Sequence, residues 1–214
     1  MATQKGSTEL EARPPGADAA GEAEAPGRPL RADARRNREL LVAAAHDVFA
    51  SQGAGASMEA IAKEAGVGVG TLYRHFPNRF DVVEAVYQDD VDELEESARR
   101  AVDELEPWPS VEAFFDAFLN YARRKGAMMT ELQQAFEKHP EFRSKMRERL
   151  DAAFAMVIER AKTAGVVRAD VEGADVLQLV APVCSNSSIG PEQRRRLTGM
   201  ILDGLRASAV APTS

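Results

Sequence analysis

The sequence predicts an all-α fold, and three observations carry that expectation. Apolar residues recur at helical spacing in one segment after another from Asp33 onward. The segments are bounded by residues that start and stop helices. Between them, no stretch alternates apolar and polar residues as a half-buried strand does. With 214 residues, 44% of them hydrophobic, the chain is long enough for one domain or two small ones with a real core.

Residues 1–32 are expected to be a disordered tail. They are rich in Ala, Gly, Pro and Glu and carry almost no large apolar side chain beyond Leu10 and Leu30, too little burial to offset chain entropy. A first helix from about Arg35 to Gln52 follows from Leu40, Leu41, Ala44, Ala45, Val48 and Phe49, and Gly53 and Gly55 end it. Ser57 is a good N-cap for a short helix with Glu59 in its first turn and Ile61, Ala62 and Ala65 facing inward. Gly66 stops that helix, and a second short one runs through Thr71, Leu72, Tyr73 and Phe76 to Pro77. A fourth helix begins near Asn78 and stops before Pro107-Trp108-Pro109.

The remainder also reads as helix. Ser110 is expected to cap a helix carrying Phe114, Phe115, Phe118 and Tyr121 and closing at Gly126. A segment from Ala127 to Lys138 ends before Pro140, which opens a long helix closing at Gly165. Ala174 to about Ser185, interrupted by Pro182, and Pro191 to about Ser208 complete the order.

Composition excludes several classes. A single cysteine, Cys184, rules out an intramolecular disulfide, and His46, His75 and His139 are too scattered for a zinc site. No apolar run is long enough for a bilayer span and no secretory signal pattern is present, so a cytoplasmic protein without membrane attachment is expected. No paired carboxylate, nucleophile triad or metal cluster stands out, which argues against an enzyme and against a cofactor. The net charge of -7 argues at first against nucleic acid. Its distribution reverses that: residues 81–106 carry -9, and the rest of the chain +2. The acidic run is either a solvated helix face or a surface that repels DNA and so orients the molecule on it.

The most informative stretch is Ser57 to Arg79, SMEAIAKEAGVGVGTLYRHFPNR. Two short helices joined at a glycine turn, with Ile61, Val67, Leu72 and Phe76 available to fix their angle, make a helix-turn-helix whose second helix fits a major groove. Ile61-Ala62, Ala65-Gly66-Val67, Gly70-Thr71-Leu72-Tyr73-Arg74-His75-Phe76 and Asp81-Val82-Val83 resemble the TetR family of bacterial one-component transcriptional regulators over residues 33–88. A weaker likeness lies at Ala164-Gly165-Val166-Val167-Arg168-Ala169-Asp170.

The resemblance implies a helix-turn-helix DNA-binding domain over 33–80 and a helical effector-binding and dimerisation domain over 81–210. It further implies a homodimer on a palindromic double-stranded operator, acting as a repressor released by a small-molecule effector. Position by position, Ser57, Tyr73, His75 and Arg79 match phosphate-contacting positions, and Val69, Gly70, Thr71 and Arg74 match positions facing base edges. Hydroxyl, phenol and imidazole groups can donate to phosphate oxygens, as can free amides at the start of the fourth helix. The chain departs from the family in having Arg79 where Lys is common and Gly68 where Ser is common, leaving direct readout to Thr71, Arg74 and a thymine-methyl contact by Val69.

Arg31, Arg35, Arg36 and Arg38 form either a basic arm that follows the backbone or enters the minor groove, Arg36 being the candidate contact, or a solvated helix start. Phe115, Phe118, Met128, Met129, Phe136, Phe154 and Met156 are candidates to line an apolar effector pocket, against the plainer reading as core. Arg123-Arg124-Lys125 is a helix-end charge cluster that could also meet an anionic effector. Stripes on the last two helices, Val176 to Val183 and Leu197 to Ser208, suit a dimer bundle. The rival reading is a helical interaction or scaffold protein that does not bind DNA. Six bases against five acids over residues 33–80 mean that any DNA binding relies on placed contacts more than on bulk attraction.

Overall fold

The structure, a computed structural model, describes residues 28–186 and 188–207, so most of the expected tail and the end of the chain from 208 lie outside it. Nine α-helices make up the described residues: α1 Arg28–Gln52, α2 Met58–Glu64, α3 Val69–His75, α4 Arg79–Glu104, α5 Pro107–Ala127, α6 Met129–Lys138, α7 Pro140–Thr163, α8 Gly173–Ser185 and α9 Pro191–Leu205. A 3-10 turn at Gly53–Gly55 follows α1, and one isolated bridge pairs Val167 with Arg206.

Local chemistry sets most boundaries. Ser57 Oγ accepts the Ala60 amide as the N-cap of α2. Gly66, at φ 67°, supplies the left-handed residue on which the chain turns from α2 to α3. Asn78 and Asp81 form a reciprocal capping box at the start of α4. Two of the amides expected to be free there are thus occupied, leaving those of Arg79 and Phe80 as the outward donors.

Three boundaries differ by three residues or more from the sequence reading, one of them the end of α9, at Leu205 and not about Ser208. Helix α1 begins at Arg28, upstream of Asp33, so Arg31, Arg35, Arg36 and Arg38 lie within a helix and form no extended arm. Helix α5 begins at Pro107, because a proline at the first helical position loses no internal hydrogen bond. Ser110 is therefore inside the helix, buried, with its hydroxyl donating to the Pro107 carbonyl.

The core runs through the molecule around α4, which packs on α1, α5, α6 and α7. Val82, Val83, Val86, Val91, Leu94 and Ala98 lie on its buried side. Phe114 and Phe118 of α5 close on Phe154 of α7 with ring centroids 4.8 and 5.0 Å apart, edge to face. Helix α8 lies on α7 so closely at Gly173 that a Cβ there would sit 2.5 Å from the Ala155 backbone nitrogen. Only glycine permits that approach.

The acidic run of α4 is more than a solvated face. Arg124 of α5 donates to buried Asp90 and, at 2.6 Å, to Glu93. Arg149 of α7 donates to Glu95 at 2.8 and 2.7 Å and also to Asp92. Burial pushes the Asp90 carboxyl up, opposed by Arg124 and His46. The hydrogen bonds from Arg149 hold Glu95 below its ordinary value of 4.5.

Because the folded pKa of Glu95 lies below the unfolded one, its contribution is present above 4.5 and is lost as pH falls through the folded value. Urea unfolding of Glu95→Gln should therefore show a loss of up to about 1 kcal/mol near pH 6. The difference from the unaltered protein should shrink as pH falls below 4.5 and vanish once pH lies below the folded value. A pH-independent difference would assign the effect to packing.

Candidate nucleic-acid interface and effector cavity

Helix α3 presents one face inward and one outward. Leu72 and Phe76 are buried against α1 and α2, together with Ile61 and Ala62. This wedge sets the angle between the two short helices. On the other face Val69, Gly70 and Arg74 are exposed, Tyr73 is 43% exposed, and Thr71 and His75 are half-buried. Among the described residues, none of the Thr71, Tyr73, Arg74 and His75 side chains makes a hydrogen bond or ion pair with the protein. A short helix held from below thus offers outward a hydroxyl, a phenol, a guanidinium and an imidazole with their donors unspent, the inventory that meets phosphate oxygens and base edges.

Ser57 and Arg36 are placed differently. The Ser57 oxygen already accepts the α2 cap bond but keeps its O–H for donation outward. Arg36 is exposed on α1.

Arg79 is turned inward. Its guanidinium donates to the Ala56 carbonyl, pairs with Glu131 of α6 at 2.7 Å, and lies 5.3 Å from the Phe49 ring centroid. Glu131 is only 10% exposed, and its second oxygen is buried without a partner, so the carboxylate draws the cation to itself. Arg79 thereby fastens the helix-turn-helix to the start of α6, a role the sequence did not signal because Glu131 is 52 residues away.

A cavity of about 670 Å³ opens among α4, α5, α6, α7 and α8. Each helix lends one helical stripe: Tyr87 from α4; Phe118, Tyr121 and Lys125 from α5; Met129, Gln133, Phe136 and Glu137 from α6; Arg143, Arg147 and Leu150 from α7; Leu177 and Ala181 from α8. Its size is that of a small-molecule site. Of the seven residues expected to line a pocket, Phe118, Met129 and Phe136 do so. Phe115, Met128 and Phe154 are fully buried core instead. Met156 is 42% exposed, because two residues along α7 from Phe154 the helix faces the opposite way. The sequence reading missed Tyr87, Tyr121, Arg143 and Arg147.

Cys184 is buried, and burial pushes its thiol up to about 11, which keeps it protonated and unreactive. No helix among the described residues is long and apolar enough to cross a membrane.

Comparison with known proteins agrees with this architecture. Residues 41–86 match the bacterial regulatory proteins of the tetR family, and residues 106–207 match the SbtR-like transcriptional regulator C-terminal domain. The crystal structure of a TetR transcriptional regulator from Streptomyces coelicolor is 35% identical, with a TM-score of 0.69, over 80% of this chain and 99% of that one. The chain belongs to the TetR family. A TetR regulatory protein from Mycobacterium vanbaalenii is similar too, at 32% identity and TM-score 0.65 over 83% of this chain and 99% of that one. An HTH-type transcriptional regulator of Staphylococcus aureus is 45% identical over 64 residues, 29% of this TetR-family chain. That match spans 35%, about a third, of the curated relative's length.

Replacing Arg79 by Met should cost about 1–3 kcal/mol in urea unfolding, because Glu131 is left with a partly buried, unpaired charge. Adding Glu131→Gln should recover part of the loss, whereas Tyr73→Ala should change stability by no more than about 0.5 kcal/mol. Additive losses at Arg79 and Glu131 would show that the pair is not coupled.

Proposed function

We propose that the chain is a sequence-specific DNA-binding transcriptional regulator, a cytoplasmic repressor that binds a palindromic operator as a homodimer. The observation that carries this reading is the outward face of α3, whose Thr71, Tyr73, Arg74 and His75 are held by a rigid apolar wedge yet keep their donors free. In this reading Arg74 and Thr71 face base edges, with Val69 against a thymine methyl and Gly70 allowing close approach of the backbone. Tyr73, His75, Ser57 and Arg36 meet phosphates. Arg79 joins them only if it leaves Glu131.

Dimerisation on α8 and α9 is supported by an apolar surface that includes Leu179 and Met200, 58% and 69% exposed, beside the small residue Gly204. Two such faces combine as a four-helix bundle. The division into a DNA-binding domain over 33–80 and an effector-binding and dimerisation domain over 81–210 follows from the two sites. The long helix α4 runs from one to the other. Occupancy of the cavity shifts the spacing of the two α3 helices, to the extent that effector binds the DNA-free conformation more tightly. The chain has no enzymatic role in this account.

The test is binding to DNA flanking the protein's own coding region. Arg74→Ala should weaken specific binding by about 1–3 kcal/mol and relax the preference at one base position per half-site. Tyr73→Ala should weaken binding on all sequences alike. Unchanged sequence preference in Arg74→Ala contradicts the assignment, and salt-insensitive or absent DNA binding would favour a helical scaffold protein instead.

A further inference from the structure

The geometry points to an organic anion with an apolar or aromatic body as the ligand of the cavity between α4 and α8. The inference rests on reading that cavity as the effector site and adds the chemical class of what it holds.

Three of the cavity's four charged lining residues are cations. Lys125, Arg143 and Arg147 face Glu137 alone, although the chain as a whole carries a charge of -7. A cavity lined at random from such a chain would carry net negative charge. The cations are also largely unspent. Among the described residues Lys125 and Arg143 pair with no carboxylate, and Arg147 uses only its Nε, on Asp151 at 2.9 Å, leaving both terminal nitrogens free.

Lys125 is the most telling of the three. Its neighbour Arg124 turns to the α4 acids, while Lys125, one position further round the helix, turns into the cavity. There its ammonium lies 5.4 Å from the Tyr87 ring centroid and 5.9 Å from that of Tyr121. Those ring faces hold a half-buried cation without neutralising it. Its N–H donors remain available, and a carboxylate or equivalent oxyanion satisfies them.

The apolar part of the lining suits the rest of such a ligand. Phe118, Leu150 and Leu177 are buried and apolar, and Met129 and Phe136 on α6 are half-buried. The Tyr87 and Tyr121 hydroxyls bond each other at 2.7 Å, which spends one of their two protons and leaves the accepting hydroxyl's O–H to donate elsewhere. Arg143 and Arg147 lie one turn apart on α7, the helix packed beside α5, with Arg143 exposed and Arg147 half-buried. A molecule that inserts its apolar end and keeps its anionic head near Lys125 and Arg147 matches both halves of the surface. A neutral molecule of the same shape leaves the cations unanswered, and a cation is repelled.

The test uses two dyes with the same ring system on the intact protein without DNA. 1-Anilinonaphthalene-8-sulfonate carries one negative charge, and N-phenyl-1-naphthylamine carries none. Binding is followed by dye fluorescence and by calorimetry. The sulfonate should bind one per chain and roughly tenfold more tightly than the neutral dye, the size of a charge-assisted hydrogen bond. Lys125→Met should remove most of that preference while leaving the neutral dye's affinity unchanged, and Lys125→Arg should restore it. If Lys125→Met loses cooperative unfolding, Arg147→Gln takes its place with the same expected loss of preference.

Equal binding of the two dyes, tighter binding of the neutral one, or a preference that survives both Lys125→Met and Arg147→Gln overturns the anion assignment. So does the absence of binding by either dye. Failure of the regulator reading is recognised separately: the anion preference is measured on the free protein and stands if the chain proves not to bind DNA.

Discussion

A charge buried where three helices meet organises the molecule. Asp90 of α4 is fully buried, with Arg124 of α5 donating to it and His46 Nδ1 of α1 at 4.0 Å. An unpaired carboxylate in that position would cost several kcal/mol, roughly the scale of a small domain's whole stability, so the partners must be present for the helices to close. The pair also fixes the phase of each helix about its axis. With Asp90 turned towards Arg124, Tyr87 one turn earlier turns towards Tyr121, and Lys125 turns into the cavity. On α1, the same closure brings His46 within 3.3 Å of Asp89.

Helix α4 is thus shared by the two halves of the protein. Its first turn holds the capping box and Arg79 beside the helix-turn-helix, and its middle forms one wall of the cavity. Its later turns are tied to α7 by Arg149. This one helix of 26 residues therefore has its first turn beside the end of α3 and a later turn, at Tyr87, on the cavity. The Arg79–Glu131 pair adds a second connection, from the turn before α2 to the first turn of α6, the helix that lends Met129, Gln133, Phe136 and Glu137 to the cavity.

What was legible in the sequence was local. Ser57, Gly66, Pro77 and Pro191 mark helix ends because their effects act within one turn, and Leu72 and Phe76 read as core because their spacing repeats. The outward position of Tyr73 and Arg74 follows from the same periodicity. Long-range pairings left no such trace. Arg124 and Arg149 reach acids 31 to 57 residues away, so the acidic run of α4 looked like a solvated face. The seven candidate pocket residues are aromatic or Met, a character that core and cavity share. Which of them face empty space depends on how five helices are phased, and the same phasing brought in Arg143 and Arg147. Within the run Arg123-Arg124-Lys125, three adjacent cations point in three directions, a consequence of the 100° step of a helix that composition cannot resolve.

The central claim, that two α3 faces read DNA together while the ion-paired helices behind them hold their spacing, is tested most directly by hydroxyl-radical footprinting on the DNA flanking the coding region. Two protected stretches of backbone, each flanking a major-groove half-site and related by a two-fold axis, are expected, with centres about 10 base pairs or a whole multiple of that apart. Arg74→Ala should lose both protections together. Protection of a single half-site, or two sites at a spacing that is not a whole number of helical turns, would contradict it.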